Sequence, residues 1–161
     1  MADKKNPSVD SLLKEKKIYQ IVNPRLVQAP PTISVKQAIE HMQKERAGYM
    51  VIAENGKPVG IFTETDVVRN VLEKEVDWNR SVREFMTPNP VVLKPEDTVG
   101  EAIDVMGSHR FYHIPLVDEK GNLVNVISVR TLIRFLAEFY PAEVLNLPPV
   151  PNQVMETQEG G

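Results

Sequence analysis

The chain has 161 residues and no cysteine. This excludes disulfides, thiolate metal sites and cysteine nucleophiles, and fits a reducing compartment. It also has no run of 18 apolar residues, so no stretch has the length and character of a membrane-spanning helix. Neither sign of charge prevails: 19 basic residues stand against 22 acidic ones, for a formal charge of -3. That balance supplies no general field for nucleic acid or anionic lipid, and the longest basic cluster, Lys14-Glu-Lys16-Lys17, is too short to change it. The first residues lack the basic, apolar, small-residue order of a secretion signal. The expectation is a cytoplasmic protein with neither a nucleic-acid nor a membrane partner.

Signatures of bond-making chemistry are missing too. There is no Gly-x4-Gly-Lys-Ser/Thr loop, no Gly-x-Ser-x-Gly elbow, and no pair of carboxylates in a plausible cleft. His109-x3-His113 has helical metal spacing, but no carboxylate or cysteine completes a ligand set. No catalytic residue, catalytic cofactor or metal is assigned, and an enzyme is not expected. What the chain does have is an ordinary globular composition, 42% hydrophobic and 25% charged, long enough for a sizeable core.

It also contains the same unit twice. Val35-Lys-Gln-Ala38-Ile39-Glu-His-Met42 returns 64 positions later as Val99-Gly-Glu-Ala102-Ile103-Asp-Val-Met106, and Pro24, Val27 and Pro31 return as Pro88, Val91 and Pro95. Gly56, Val59 and Arg69 return 65 positions on, as Gly121, Val124 and Arg134. One residue is therefore inserted in the turn before Gly121, where insertions are tolerated. The repeat divides the chain into a charged N-terminal arm, 1–16, a first copy, 17–76, a linker, 77–80, a second copy, 81–140, and a Pro-rich tail, 141–161. Units of about 60 residues are marginal alone, so the copies are expected to pack into one pseudo-twofold body with a ligand cleft between them.

Within the first copy, Ser34-x-x-Gln37 reads as a capping box opening a helix to about Arg46. Tyr49 to Ala53 and Pro58 to Phe62 flank an Asn55-Gly56 turn and predict a hairpin. Thr63 opens a second helix whose inner face would carry Val67, Val68, Val71 and Leu72. The second copy repeats this order from Thr98-x-x-Glu101 to Ser128. Each unit is a β-α-β-β-α set, and the class is α+β. Trp78 in the linker marks either an interface or the edge of the core.

Gly60-x-x-Thr63-x-x-Asp66 is the segment richest in chemistry. Glycine at a strand end lets a ligand approach the backbone. A hydroxyl and a carboxylate three residues apart at a helix start could hold a ribose diol, since a carboxylate accepts from both hydroxyls. The same pair is equally a helix cap that satisfies backbone N–H groups. The second copy has Asn125, Ser128 and Thr131 at these positions, without the carboxylate.

Met86-Thr87-Pro88, His113-Ile-Pro115-Leu-Val117-Asp118 and Gly60-Ile-Phe-Thr63-Glu-Thr-Asp66, set in the duplicated frame over about 17–140, resemble a tandem pair of CBS domains, the Bateman module. The resemblance implies two units packed through their small sheets and a binding function. The ligand would be adenosyl, with AMP, ADP or ATP foremost. Thr63 and Asp66 would bind ribose. The base would lie among Thr32, Ile33, Ala47, Gly48, Tyr49, Met50, Gly60 and Ile61. Phosphates would meet Arg130, His113 and Tyr112 from the other copy, with Arg110 a further candidate or a solvated surface residue. One competent site per chain, a homodimer formed through exposed helix faces, and an effector protein of unknown identity complete the expectation. The alternative is a homodimeric scaffold whose ligand site is vestigial.

Overall fold

The computed structural model describes residues 8–139; the tail, 141–161, and the first residues of the arm lie outside them. Helix α1 (Val9–Glu15) is capped by Ser8 and is followed by a 3-10 turn, Ile18–Gln20. The first copy then runs β1 (Gln28–Ala29), α2 (Val35–Glu45), β2 (Tyr49–Glu54), β3 (Lys57–Thr63) and α3, whose single α-helical turn, Glu64–Asp66, widens into a π-helical stretch, Val67–Leu72. After a second 3-10 turn, Val82–Glu84, come β4 (Thr87–Pro88), α4 (Val99–His109), β5 (His113–Val117), β6 (Leu123–Ser128) and α5 (Val129–Phe139).

Local chemistry explains why these elements start and stop where they do. Ser34 and Gln37 form the reciprocal capping box on α2, and Thr98 and Glu101 repeat it on α4. Val35, Ala38 and Met42 bury one face of α2; Val99, Ala102 and Met106 bury the matching face of α4. Both helices end on an arginine in the left-handed region, Arg46 at φ 51 and Arg110 at φ 56. Asn55 and Gly56 both have positive φ, the geometry that an Asn-Gly hairpin turn requires.

The second helix of the first copy departs from the sequence expectation. Val71 is buried and Val67 half-buried, but Val68 and Leu72 are 49% and 50% exposed. The cause is the π winding, in which Glu73 N–H donates to Val68 O rather than to the residue four back. The wider turn rotates Val68 and Leu72 out of the inner face.

The two units form one body. Strands order β1-β2-β3-β4 in one sheet and β5-β6 in the other. Val51, Ile61 and Val126 meet between the sheets, with Leu26, Tyr49 and Leu123 packed around them. On either side lies a core. One is built on Val35, Met50, Ile52 and Phe62, the other on Val99, Ile114, Leu116 and Ile127. The chain class is α+β, two pseudo-twofold-related units packed through their sheets.

The opening segments of the two copies are exchanged. Ile18, at the start of the first copy, is fully buried in the second core, and its N–H donates to Asp97 O at 2.9 Å. Val82 and Phe85, at the start of the second copy, belong to the first core, and β4 pairs with β3 at Gly60 and Ile61. The bridges Lys17↔Thr98 and Ser34↔Ser81 are symmetry mates. Each arm thus ties one copy to the other, and a buried isoleucine or valine there adds roughly 1.5–3 kcal/mol to the joint.

Candidate functional site

The expected ribose pair is in place as a helix cap. Asp66 is buried at 9% exposure, and its Oδ2 accepts from Thr63 N–H at 2.9 Å and from the Thr63 hydroxyl at 3.0 Å. Its Oδ1 accepts from the Asn70 amide at 3.3 Å and the Thr87 hydroxyl at 3.4 Å. Four donors from three residues surround the carboxylate. Gly60, at the end of this segment, is covered by Met86, whose side chain stands where a Cβ on Gly60 would go. The space that the glycine opens is thus taken up by the arm of the second copy.

The open space lies elsewhere, on the seam between the copies. A cavity of about 540 Å³ is lined by Asn23, Arg25, Arg46, Gly48, Tyr49, His113, Val126, Ser128, Arg130, Thr131, Ile133 and Arg134. A broader groove of about 1030 Å³ adjoins it, lined by Ile39, Met42, Gln43, Ala47, Glu64, Val67, Val68 and Val129. Arg46, Gly48, His113 and Arg130 belong to both. Of the base-pocket candidates, Ala47, Gly48 and Tyr49 face this seam. Met50 is in the first core, Ile61 between the sheets, Gly60 under Met86, Ile33 against the first core and Thr32 in solvent. Of the phosphate candidates, His113 and Arg130 line the cavity. Tyr112 is 61% exposed and Arg110 caps α4; neither lines it. Thr63 and Asp66 are not brought together with His113 and Arg130 in either space.

Tyr49 and His113 stack across the seam, ring centroids 4.7 Å apart. Burial pushes the His113 imidazole down from 6.5 to about 4, so at neutral pH it is an uncharged aromatic surface. The charge comes instead from Arg25, Arg46, Arg130 and Arg134. None of the four forms an ion pair with a described residue, and no carboxylate lines the cavity. Unpaired guanidinium groups converging on one space suit a phosphorylated anion.

At the α5 start, Ser128 accepts from Thr131 N–H at 3.2 Å and its Oγ lies 3.1 Å from Thr131 Oγ1. His109 and His113 do not converge. His109 stacks on Phe111 and its Nδ1 meets Val105 O, and no His, Asp or Glu cluster suited to a metal occurs among the described residues.

Asn23, Arg25, Arg46 and Arg134 were not legible as site residues in the sequence. Asn23 and Arg25 reach the second copy only because the arms cross, and the Asn125 amide donating to Asn23 O at 2.9 Å marks that crossing. The available signal was the register itself: Pro24 matches Pro88, so Arg25 occupies the place beside a motif proline.

A duplicated helix-strand-strand-helix unit with a cavity on its pseudo-twofold seam defines a tandem-repeat module. The sequence profile of the CBS domain matches twice, at residues 18–73 and 82–138, and the chain belongs to the CBS domain family. Among curated relatives it is 26% identical over 125 residues to an uncharacterised 17.7 kDa protein of Acidianus ambivalens, covering 77% of this chain and 75% of that one. It is 30% identical over 124 residues to inosine-5'-monophosphate dehydrogenase of Aquifex aeolicus, covering 76% of this chain but only 24% of the enzyme. A CBS domain protein from Pyrobaculum aerophilum, solved in complex with AMP, matches with a TM-score of 0.70 at 23% identity, over 78% of this chain and 99% of that one. No helix among the described residues is long and apolar enough to cross a membrane.

Proposed function

We propose that the chain is an adenine-nucleotide sensor: AMP, ADP or ATP binds in the arginine-lined cavity between the copies and biases their arrangement, and a separate effector protein reads the result. The observation that carries this reading is the convergence of four unpaired arginines and a neutral Tyr49–His113 stack on one cavity without a carboxylate. The stack offers a flat apolar face for a base, the guanidinium groups an anchor for phosphate. A volume of about 540 Å³ suits a mononucleotide. The AMP complex of the Pyrobaculum relative supports the ligand class. In this reading Thr63 and Asp66 act as the cap that holds α3 to the second arm, and the ribose meets Ser128 and Thr131.

A ligand shifts the arrangement of two units only through differential affinity for their states. The cavity provides for that, since Gly48 and Tyr49 come from one copy and His113, Ser128 and Arg130 from the other. The exposed Val68, Leu72 and Ile133 on α3 and α5 form the face through which a homodimer would assemble, the location cytoplasmic.

The test is calorimetric titration with AMP, ADP, ATP and S-adenosylmethionine. One adenine nucleotide bound per chain, weakened by Arg25→Gln, supports the reading. Silence from all four with a folded dimer points to the scaffold alternative.

A further inference from the structure

The two copies use one backbone frame with opposite chemistry at its key position. Thr63 donates to the Asp66 carboxylate at 3.0 Å in the first copy; Ser128 stands 3.1 Å from the Thr131 hydroxyl in the second. Thr63 Oγ1 accepts the Asp66 N–H at 3.4 Å, and Ser128 Oγ the Thr131 N–H at 3.2 Å. Only the carboxylate has gone. One turn further along α5, Arg134 lines the same cavity as Thr131, whereas its first-copy counterpart, Arg69, lines neither space.

A carboxylate lining the cavity at the Thr131 position would favour a free ribose diol, because it accepts from both hydroxyls, and would repel a phosphate on either of them. A neutral hydroxyl with a guanidinium one turn away does the reverse. Dinucleotide folds show a related contrast, an acidic residue holding a free 2'-hydroxyl or a nearby arginine accommodating a 2'-phosphate. We infer that the cavity takes an adenine nucleotide phosphorylated on the ribose, at the 2' or 3' oxygen, as well as on the 5' carbon. This rests on the nucleotide reading above and refines it. Two separate phosphates carry a charge of about -3 to -4, matched by Arg25, Arg46, Arg130 and Arg134 of the cavity, with the Glu64 carboxylate in the adjoining groove.

Three isomers of one composition test it: adenosine 5'-diphosphate, adenosine 2',5'-bisphosphate and adenosine 3',5'-bisphosphate, titrated into the full chain by calorimetry. One bisphosphate is expected to bind about tenfold more tightly than the 5'-diphosphate, and which of the two does so fixes the position. Thr131→Asp should reverse the order. An acidic residue in the first turn of α5 favours the helix, and a thermal melt checks its fold. Arg134→Gln, on the exposed face of α5, should abolish the preference, the favoured bisphosphate losing about tenfold more affinity than the 5'-diphosphate does. If the 5'-diphosphate binds as tightly as both isomers, the inference is overturned and the nucleotide reading stands. If none of the three binds, and ATP does not, both are overturned.

Discussion

Tyr49 and His113 occupy equivalent positions in the two copies and stack on one another, ring centroids 4.7 Å apart and 32° between planes. The pair therefore sits close to the pseudo-twofold axis, where β2 and β5 face each other. One partner has a fixed state near neutral pH and the other titrates. The consequence is a pH dependence of folding that belongs to the seam.

His113 is held neutral by burial, its value lowered from 6.5 to about 4. Between these values the unfolded chain binds the extra proton and the folded chain does not, so acid favours unfolding. Stability should be flat above about pH 6.5, fall as pH drops, and level off below about 4, with at most about 3 kcal/mol involved. Urea melts at pH 7.5 and 5 should show the loss in the parent and a smaller one in His113→Gln. A phosphate beside the ring favours the imidazolium, so ligand binding near pH 6 should take up protons, read as a buffer-dependent binding heat.

Arg46 and Arg110 form a second matched pair with unequal surroundings. Both hold a positive φ at a helix end, where glycine is at ease and a side chain costs roughly 1–2 kcal/mol. Arg46→Gly and Arg110→Gly should each leave the melting temperature unchanged or raised. Only Arg46→Gly should weaken nucleotide binding, because Arg46 lines the cavity and Arg110 does not. Equal binding losses in both variants would contradict the placement.

The crossing of the arms predicts that damage at the start of one copy is felt in the other. Ile18 opens the first copy yet is fully buried in the second core. Ile18→Ala should cost about 2–5 kcal/mol, the range for a large core residue truncated to alanine. Hydrogen exchange should show the extra opening in α4 and β5 before α2.

Much of this was legible in the residues. The 64-residue register, both capping boxes and the Asn55-Gly56 turn follow from side-chain chemistry confined to a few neighbours, and each stands in the structure. The π winding of α3 did not show, because a run such as Val67, Val68, Val71 and Leu72 fits an α-helical stripe equally well. Nor did the exchange, since a repeat in sequence does not say which copy each connecting arm covers. That second gap hid what surrounds each segment: Met86 and Thr87 arrive over Gly60 and Asp66, while Asn23 and Arg25 line the same cavity as Ser128.

Asp66 should prove to be a structural residue. Truncation in Asp66→Ala leaves Thr63, Asn70 and Thr87 donors without their acceptor, each loss costing about 1–3 kcal/mol if water does not replace it. A lowered thermal midpoint is expected, with Thr87→Val showing a smaller drop of the same kind.

The most direct measurement compares ATP affinity, by calorimetry, in the parent chain, Arg130→Gln and the near-isosteric Asp66→Asn, each confirmed folded. With the nucleotide in the arginine-lined cavity, Arg130→Gln weakens binding roughly 10- to 100-fold, the range of one charge-assisted hydrogen bond. Asp66→Asn then stays within about threefold of the parent. The reverse pattern, binding lost in Asp66→Asn and kept in Arg130→Gln, would place the ligand at the first copy's cap and contradict the assignment.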